Sequence, residues 1–153
     1  MELSIIVPAY NEEEFIFLSL SKLTKALNNK KLKFEIIIIN DGSIDNTANQ
    51  ITKYQKLNKT INIISIQNNK NLGKSASVHK GINIAKGQYT AIHDGDLEYD
   101  PNDLLHMLKF IKKEDKVDSI YGSRYLDKKL ENKQKIIYYI ANKFNLLLFN
   151  IFF

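Results

Sequence analysis

An α/β fold, with a mostly parallel central sheet between two helical layers, is predicted by three observations. Strand-like and helix-like segments alternate along the chain, β-α-β-α-β-α-β-α-β. The strand-like runs are near-continuous in isoleucine and valine rather than alternating, as strands buried on both faces require. Turn-forming polar residues follow the carboxyl end of every run, where ligands bind in such sheets.

The first run, residues 3–7, leads into Pro8-Ala9-Tyr10-Asn11-Glu12 and a helix over 12–27. The second, 34–39, ends in Asn40-Asp41-Gly42-Ser43 before a helix over 45–57. A third run at 61–66 precedes Asn71-Leu72-Gly73-Lys74 and a helix over 74–85. The fourth, 89–92, opens His93-Asp94-Gly95-Asp96-Leu97-Glu98-Tyr99-Asp100-Pro101, with a helix over 101–112 beginning at the proline. A fifth run at 117–121 ends in Gly122-Ser123-Arg124. Right-handed crossovers place these five polar ends along one edge of the sheet.

With 153 residues, 44% of them hydrophobic, the chain supports one domain core rather than two. Residues 1–127 are expected to form that domain, and 128–153 a separate amphipathic helix. Cysteine is absent, which excludes disulfides, thiolate metal sites and thiol catalysis. Residues 3–7 are too short an apolar run for a signal peptide, so a cytoplasmic start is expected. The net charge of +5 suits anionic small molecules or an anionic membrane surface, and nucleic acid is not favoured as a partner.

If residues 94–98 are extended, Asp94, Asp96 and Glu98 point the same way. Hard oxygen ligands so gathered favour Mg²⁺ or Mn²⁺, with substrate phosphate completing the shell; the alternative is a solvated turn that caps the next helix. Arg124 is the lone arginine among 22 basic residues, consistent either with bidentate phosphate recognition or with a structural ion pair. Tyr10 is placed to stack on a base, and Glu12 to accept hydrogen bonds from base or ribose or to complement a helix dipole. Asp41 is placed to hold a ribose hydroxyl or to form an Asx-turn before Gly42. Lys74 opens a helix where a phosphate would sit, but the first glycine of a phosphate loop is replaced by Asn68, which disfavours a P-loop phosphotransferase. His93 is expected in the interior, and His79 and His106 carry no catalytic signal.

In order and spacing, Ile6-Val7-Pro8-Ala9-Tyr10-Asn11-Glu12, Asn40-Asp41-Gly42-Ser43, Asn71-Leu72-Gly73-Lys74, the segment from Asp94 to Pro101 and Tyr121-Gly122-Ser123-Arg124 resemble the amino-terminal region of family 2 glycosyltransferases. The likeness is strongest to the branch that contains dolichyl- and polyprenyl-phosphate mannosyl- and glucosyltransferases. It implies the GT-A fold, a three-layer α/β/α sandwich, and inverting transfer of a hexose from a nucleotide-diphosphate sugar of the GDP-mannose or UDP-glucose type to a lipid phosphate. By the same resemblance, Pro8, Tyr10, Glu12, Asp41, Lys74, Asp94, Gly95 and Asp96 bind the donor. Asp94, Asp96 and Glu98 hold Mg²⁺ or Mn²⁺, and Asp94, Asp96 and Arg124 carry catalysis. Asn40 stands where the family commonly has aspartate, and Gly95 where this branch often has alanine.

Family members run on into a segment that completes the acceptor site, so the chain reads as truncated. The alternative function is a nucleotide-sugar-binding fragment or subunit without transfer activity of its own. Residues 136–151 carry apolar side chains at helical spacing with lysine and asparagine between them, too polar for a membrane span. They suit an interfacial helix at the cytoplasmic face of a membrane, or a core helix awaiting its cover; either predicts peripheral membrane contact, a homo-oligomer or a partner subunit.

Overall fold

The computed structural model describes residues 1–28, 32–114 and 116–122. The chain divides into two compact units, Met1–Asp118 and Ser119–Phe153. In the second, residues 119–122 are described and carry neither helix nor strand. Arg124 and the expected helix over 128–153 lie outside the described residues.

In the first unit the order is β1 (Leu3–Ala9), α1 (Ile16–Asn28), β2 (Phe34–Asn40), α2 (Thr47–Leu57), β3 (Asn62–Gln67), α3 (Lys74–Ile82), β4 (Tyr89–Ile92) and α4 (Pro101–Ile111). All four strands are parallel, in the order β3-β2-β1-β4. β1 and β2 lie inside the sheet and are covered on both sides, as their near-continuous apolar sequences anticipate. The four isoleucines at 36–39 are fully buried and contribute about 2 kcal/mol each.

The two faces of β1 go to different layers. Leu3, Ile5, Val7 and Ala9 join a cluster with Ile16, Leu20, Leu23 and Leu27 of α1, Ile51 and Tyr54 of α2, and Leu104 and Leu108 of α4. On the other face Ile6 meets α3 at Gly81, where an added Cβ would stand 2.6 Å from the isoleucine.

Three expectations need correction. The expected strand at 117–121 does not form: its sequence, Val-Asp-Ser-Ile-Tyr, places two polar residues among five and builds no ladder. β3 and β4 alternate between exposed and half-buried positions instead of being buried throughout, because each is an edge strand among the described residues. The helix expected from residue 12 starts at Ile16, because residues 11–13 are drawn into contacts with the next loop.

At the amino-terminal edge of the sheet lies a feature the apolar pattern concealed. Glu35, within the isoleucine-rich β2, is fully buried. Its carboxylate accepts from Ser4 Oγ at 2.6 Å, the Lys86 amide at 2.8 Å and Asn62 Nδ2 at 3.2 Å, while Ser4 Oγ accepts from the Gly87 amide at 2.7 Å. This tie fixes the turn that feeds β4 and so sets where β4 begins. Glu35→Gln places a donor where an acceptor is needed and is expected to lower stability by about 2 kcal/mol in urea denaturation.

Candidate functional site

Strand order reverses at β1, with β2 on one side and β4 on the other, and the crevice of a parallel sheet opens outside the carboxyl ends at such a point. Register sets its floor. Ala9 pairs with Asn40, so the loops after β1 and β2 leave side by side, whereas β4 ends earlier, with Ile92 opposite Ile6. The chain after β4 therefore runs on beside the last residues of β1. The His93 amide donates to the Ile6 carbonyl at 2.9 Å, and Gly95 lies over Pro8 and Ala9.

The first two loops are laced together. The Asn11 amide donates to Ser43 Oγ at 3.0 Å, and Asn11 Oδ1 accepts from the Ile44 amide at 3.0 Å. The Glu13 amide donates to Asp45 Oδ2 at 3.2 Å, and Glu13 Oε2 accepts from the Asn46 amide at 2.8 Å. Between these pairs the Glu12 amide donates to Thr47 Oγ1 at 2.8 Å, and that hydroxyl donates to Asp45 Oδ1 at 2.5 Å. Asn11 adopts φ 54°, a left-handed conformation that asparagine tolerates better than most side chains. The lacing leaves Tyr10 exposed at the rim and half-buries Glu12.

Asn40, not Asp41, makes the turn at Gly42: its Oδ1 accepts from the Ser43 amide at 3.1 Å, and its buried Nδ2 has no hydrogen-bond partner among the described residues. Asp41 is buried and turned toward the loop after β3. Oδ1 accepts from Asn68 Nδ2 at 2.7 Å and the Leu72 amide at 3.0 Å, and Oδ2 accepts from the Gly73 amide at 2.8 Å. Burial pushes this carboxyl upward, but hydrogen bonds from Asn68, Leu72, Gly73 and Ser77 outweigh it and hold the group below its ordinary range. Gly42, at φ 71°, backs onto residues 70–71, where a Cβ would come within 2.4 Å of backbone. Gly73, at φ 90°, then releases the chain into α3. The Asn68 that replaces a phosphate-loop glycine thus serves this tie, and its Oδ1 accepts from Lys80 Nζ at 2.7 Å.

The acidic segment does not continue as a strand, which corrects the expected alternation. After Ile92 the backbone bends, and Asp96 Oδ1 accepts from the Glu98 amide at 3.0 Å in an Asx-turn that carries Glu98 to an exposed position. Asp100 caps α4 by accepting from the Asn102 amide at 2.9 Å, so the capping alternative holds for that residue. Asp94 faces α3: Lys74 Nζ is 2.6 Å from its Oδ1 and 2.8 Å from its Oδ2. His93 is buried, and burial lowers its pKa against the opposing pull of Asp94 and Asp96, as an interior imidazole would show.

The acid that joins Asp94 and Asp96 is Glu12. Partial burial raises its pKa, and the negative charges of Asp96, Asp45 and Asp94 raise it further. Among the described residues no three His, Cys, Asp or Glu side chains converge as a ready ligand set, so Asp94, Asp96 and Glu98 do not form the expected trio. The donor chemistry nonetheless fits a hard divalent cation. The patch consists of carboxylates that repel one another, and Asp94 already receives one cation, the Lys74 ammonium. Asp94 and Asp96 are the side chains that would hold such a metal, with ligand oxygens left to a substrate.

Of the residues singled out from sequence, Pro8, Tyr10, Glu12, Lys74, Asp94, Gly95 and Asp96 lie around this crevice, and Asp41 lies behind its wall. Asp45, Thr47 and Asn68 were not anticipated in the site; the hydrogen bonds that tie them to Glu13, Glu12 and Asp41 span 27 to 35 residues, beyond any local pattern. At Gly95 an added Cβ would stand 3.0 Å from Cδ1 at the end of the Ile16 side chain and 3.4 Å from the Pro8 carbonyl. Gly95→Ala is therefore expected to leave ligand affinity within about twofold of wild type, as titration of both proteins would show.

A model of the family described as glycosyl transferase family 2 matches residues 4–152. Among curated relatives, a dolichyl-phosphate beta-glucosyltransferase of Dictyostelium discoideum is 40% identical over 99 residues, covering 61% of this chain and 30% of its own. A dodecaprenyl-phosphate galacturonate synthase of Rhizobium johnstonii is 31% identical over 125 residues, covering 81% and 36%. The chain thus spans about a third of the length of these relatives. Among solved structures, the mannosyltransferase PcManGT of Pyrobaculum calidifontis, in complex with GDP-Man and Mn²⁺, matches with a TM-score of 0.65 at 21% identity, over 72% of this chain and 32% of that one.

Proposed function

The chain belongs to glycosyltransferase family 2 and has the GT-A fold, and from that premise we propose that it is the donor half of an inverting hexosyltransferase acting on a polyprenyl or dolichyl phosphate. The observation that carries the reading is the Lys74–Asp94 ion pair beside the reversal of strand order, with the charges of Asp94 and Asp96 acting on Glu12 and Tyr10 exposed after β1. Relatives named for dolichyl and dodecaprenyl phosphate support the acceptor class.

In this reading the base of a nucleotide-diphosphate sugar lies against Tyr10 and the Pro8 end of β1. Glu12 accepts hydrogen bonds from base or ribose, and Asp41 keeps the wall at residues 72–73 in place. Asp94 and Asp96 hold Mg²⁺ or Mn²⁺, which supplies Lewis-acid stabilisation of the departing diphosphate. Lys74 and Arg124 provide positive charge toward phosphate oxygens. An acceptor phosphate oxygen attacks the anomeric carbon from the face opposite the diphosphate; the new C–O bond forms as the old one breaks, and configuration inverts. A phosphate acceptor is already anionic, so no strong general base is required of the chain.

A lipid acceptor places the reaction at a membrane surface, in this reading the cytoplasmic face; among the described residues no helix is long and apolar enough to cross a membrane. The chain's coverage of about a third of its curated relatives favours one second reading, a donor-binding fragment or subunit that transfers only with a partner.

Incubating the chain with labelled GDP-mannose or UDP-glucose, undecaprenyl phosphate in detergent, and Mn²⁺ tests the proposal. Label in the extracted lipid is expected. Metal-dependent donor binding without lipid product would select the second reading.

A further inference from the structure

Lys74 is the first residue of α3, and its ammonium spans both oxygens of Asp94 at 2.6 and 2.8 Å. A helix amino terminus disfavours a cation, so helical position alone gives no reason for lysine there. The compensating charge is the Asp94 carboxylate, 20 residues further along the chain. The pair is asymmetric: the lysine side chain is 62% exposed and free to swing on its stem, whereas Asp94 is 20% exposed and held by its segment. Lysine suits such a movable charge, because its ammonium is a point charge on four rotatable carbons rather than a planar fork.

We propose that Lys74 is a tethered counter-ion that occupies Asp94 in the donor-free chain and competes there with the divalent cation. Metal capture is then weak until an anionic diphosphate draws Lys74 from the carboxylate. The inference rests on the donor-site reading and adds an order to it: nucleotide and metal enter together, and metal alone is held poorly. A lysine that only attracts phosphate, without competing for Asp94, would leave the affinity for metal alone unchanged.

The test is titration of the chain with Mn²⁺ alone, following free Mn²⁺ by electron paramagnetic resonance, and repeated with saturating GDP or UDP. Lys74→Gln is expected to bind Mn²⁺ alone about fivefold tighter than wild type, and Lys74→Gln combined with Asp94→Asn to lose that gain. Nucleotide should tighten Mn²⁺ binding more in wild type than in Lys74→Gln. Equal or weaker binding of Mn²⁺ alone by Lys74→Gln would overturn the counter-ion role. The donor-site reading is judged separately, by metal-dependent nucleotide binding in wild type: if that is present while Lys74→Gln gains nothing, only the counter-ion proposal falls. The exposed position of Lys74 keeps folding out of the comparison, and circular dichroism of each variant checks this.

Discussion

Asp96→Ala is expected to weaken nucleotide binding in the presence of Mn²⁺ by about 100-fold and to leave thermal stability near wild type. The two effects separate because Asp96 does little for the fold. Its side chain is half-buried, and the hydrogen bond it gives up, from the Glu98 amide, belongs to a turn whose amide water can reach. Its charge, by contrast, adds to the burial that already raises the pKa of Glu12. In metal-free buffer the direction should reverse. Removing one negative charge from beside a diphosphate relieves repulsion, so nucleotide binds Asp96→Ala no worse than wild type and slightly better at low salt. Calorimetric titration with and without Mn²⁺ reads both effects. Unchanged metal dependence in Asp96→Ala would remove Asp96 from the site.

Asp41→Ala is expected to act through the fold. It leaves the Leu72 amide without its acceptor and takes one of two acceptors from the Gly73 amide and from Asn68 Nδ2, next to a loop that Gly42 packs against without clearance. A loss of about 3 kcal/mol in urea denaturation at pH 7 follows, with weaker nucleotide binding as residues 71–74 move. The pH dependence has a definite sign. In the fold Asp41 titrates below its ordinary value of 3.8. Its contribution is therefore fully present above that value and is lost as pH falls through the lower folded one. The stability gap between wild type and Asp41→Ala should be constant near neutrality and narrow below pH 3.8. A gap that widens on acidification would mean that the carboxylate is not the stabilised form.

Parallel architecture was legible wherever the signal was local. Isoleucine runs located all four described strands, and helix starts at Pro101 and Lys74 followed from proline and from the glycine before the lysine. What escaped depended on partners distant in sequence. Asn11 and Ser43 lace two loops across 32 residues, and Glu35 hides a buried carboxylate inside an apolar strand by borrowing donors from Ser4, Asn62 and Lys86. The acidic segment failed differently. Period-two alternation is valid only in extended backbone, and after Ile92 the chain bends into an Asx-turn at Asp96, while the laced loops set Glu12 where the charges of Asp94 and Asp96 act on it. Asp41 was anticipated either as a ligand for ribose or base or as a turn former, yet its oxygens face the loop after β3, because Asn40 had already taken the turn.

The central claim, that this chain binds a nucleotide-diphosphate sugar through a divalent cation, is tested most directly by calorimetric titration of the chain with GDP, UDP, GDP-mannose and UDP-glucose, each with and without Mn²⁺. The account predicts that one nucleotide and its sugar bind, and that Mn²⁺ tightens both. Binding of none, or binding that Mn²⁺ leaves unchanged, would contradict it.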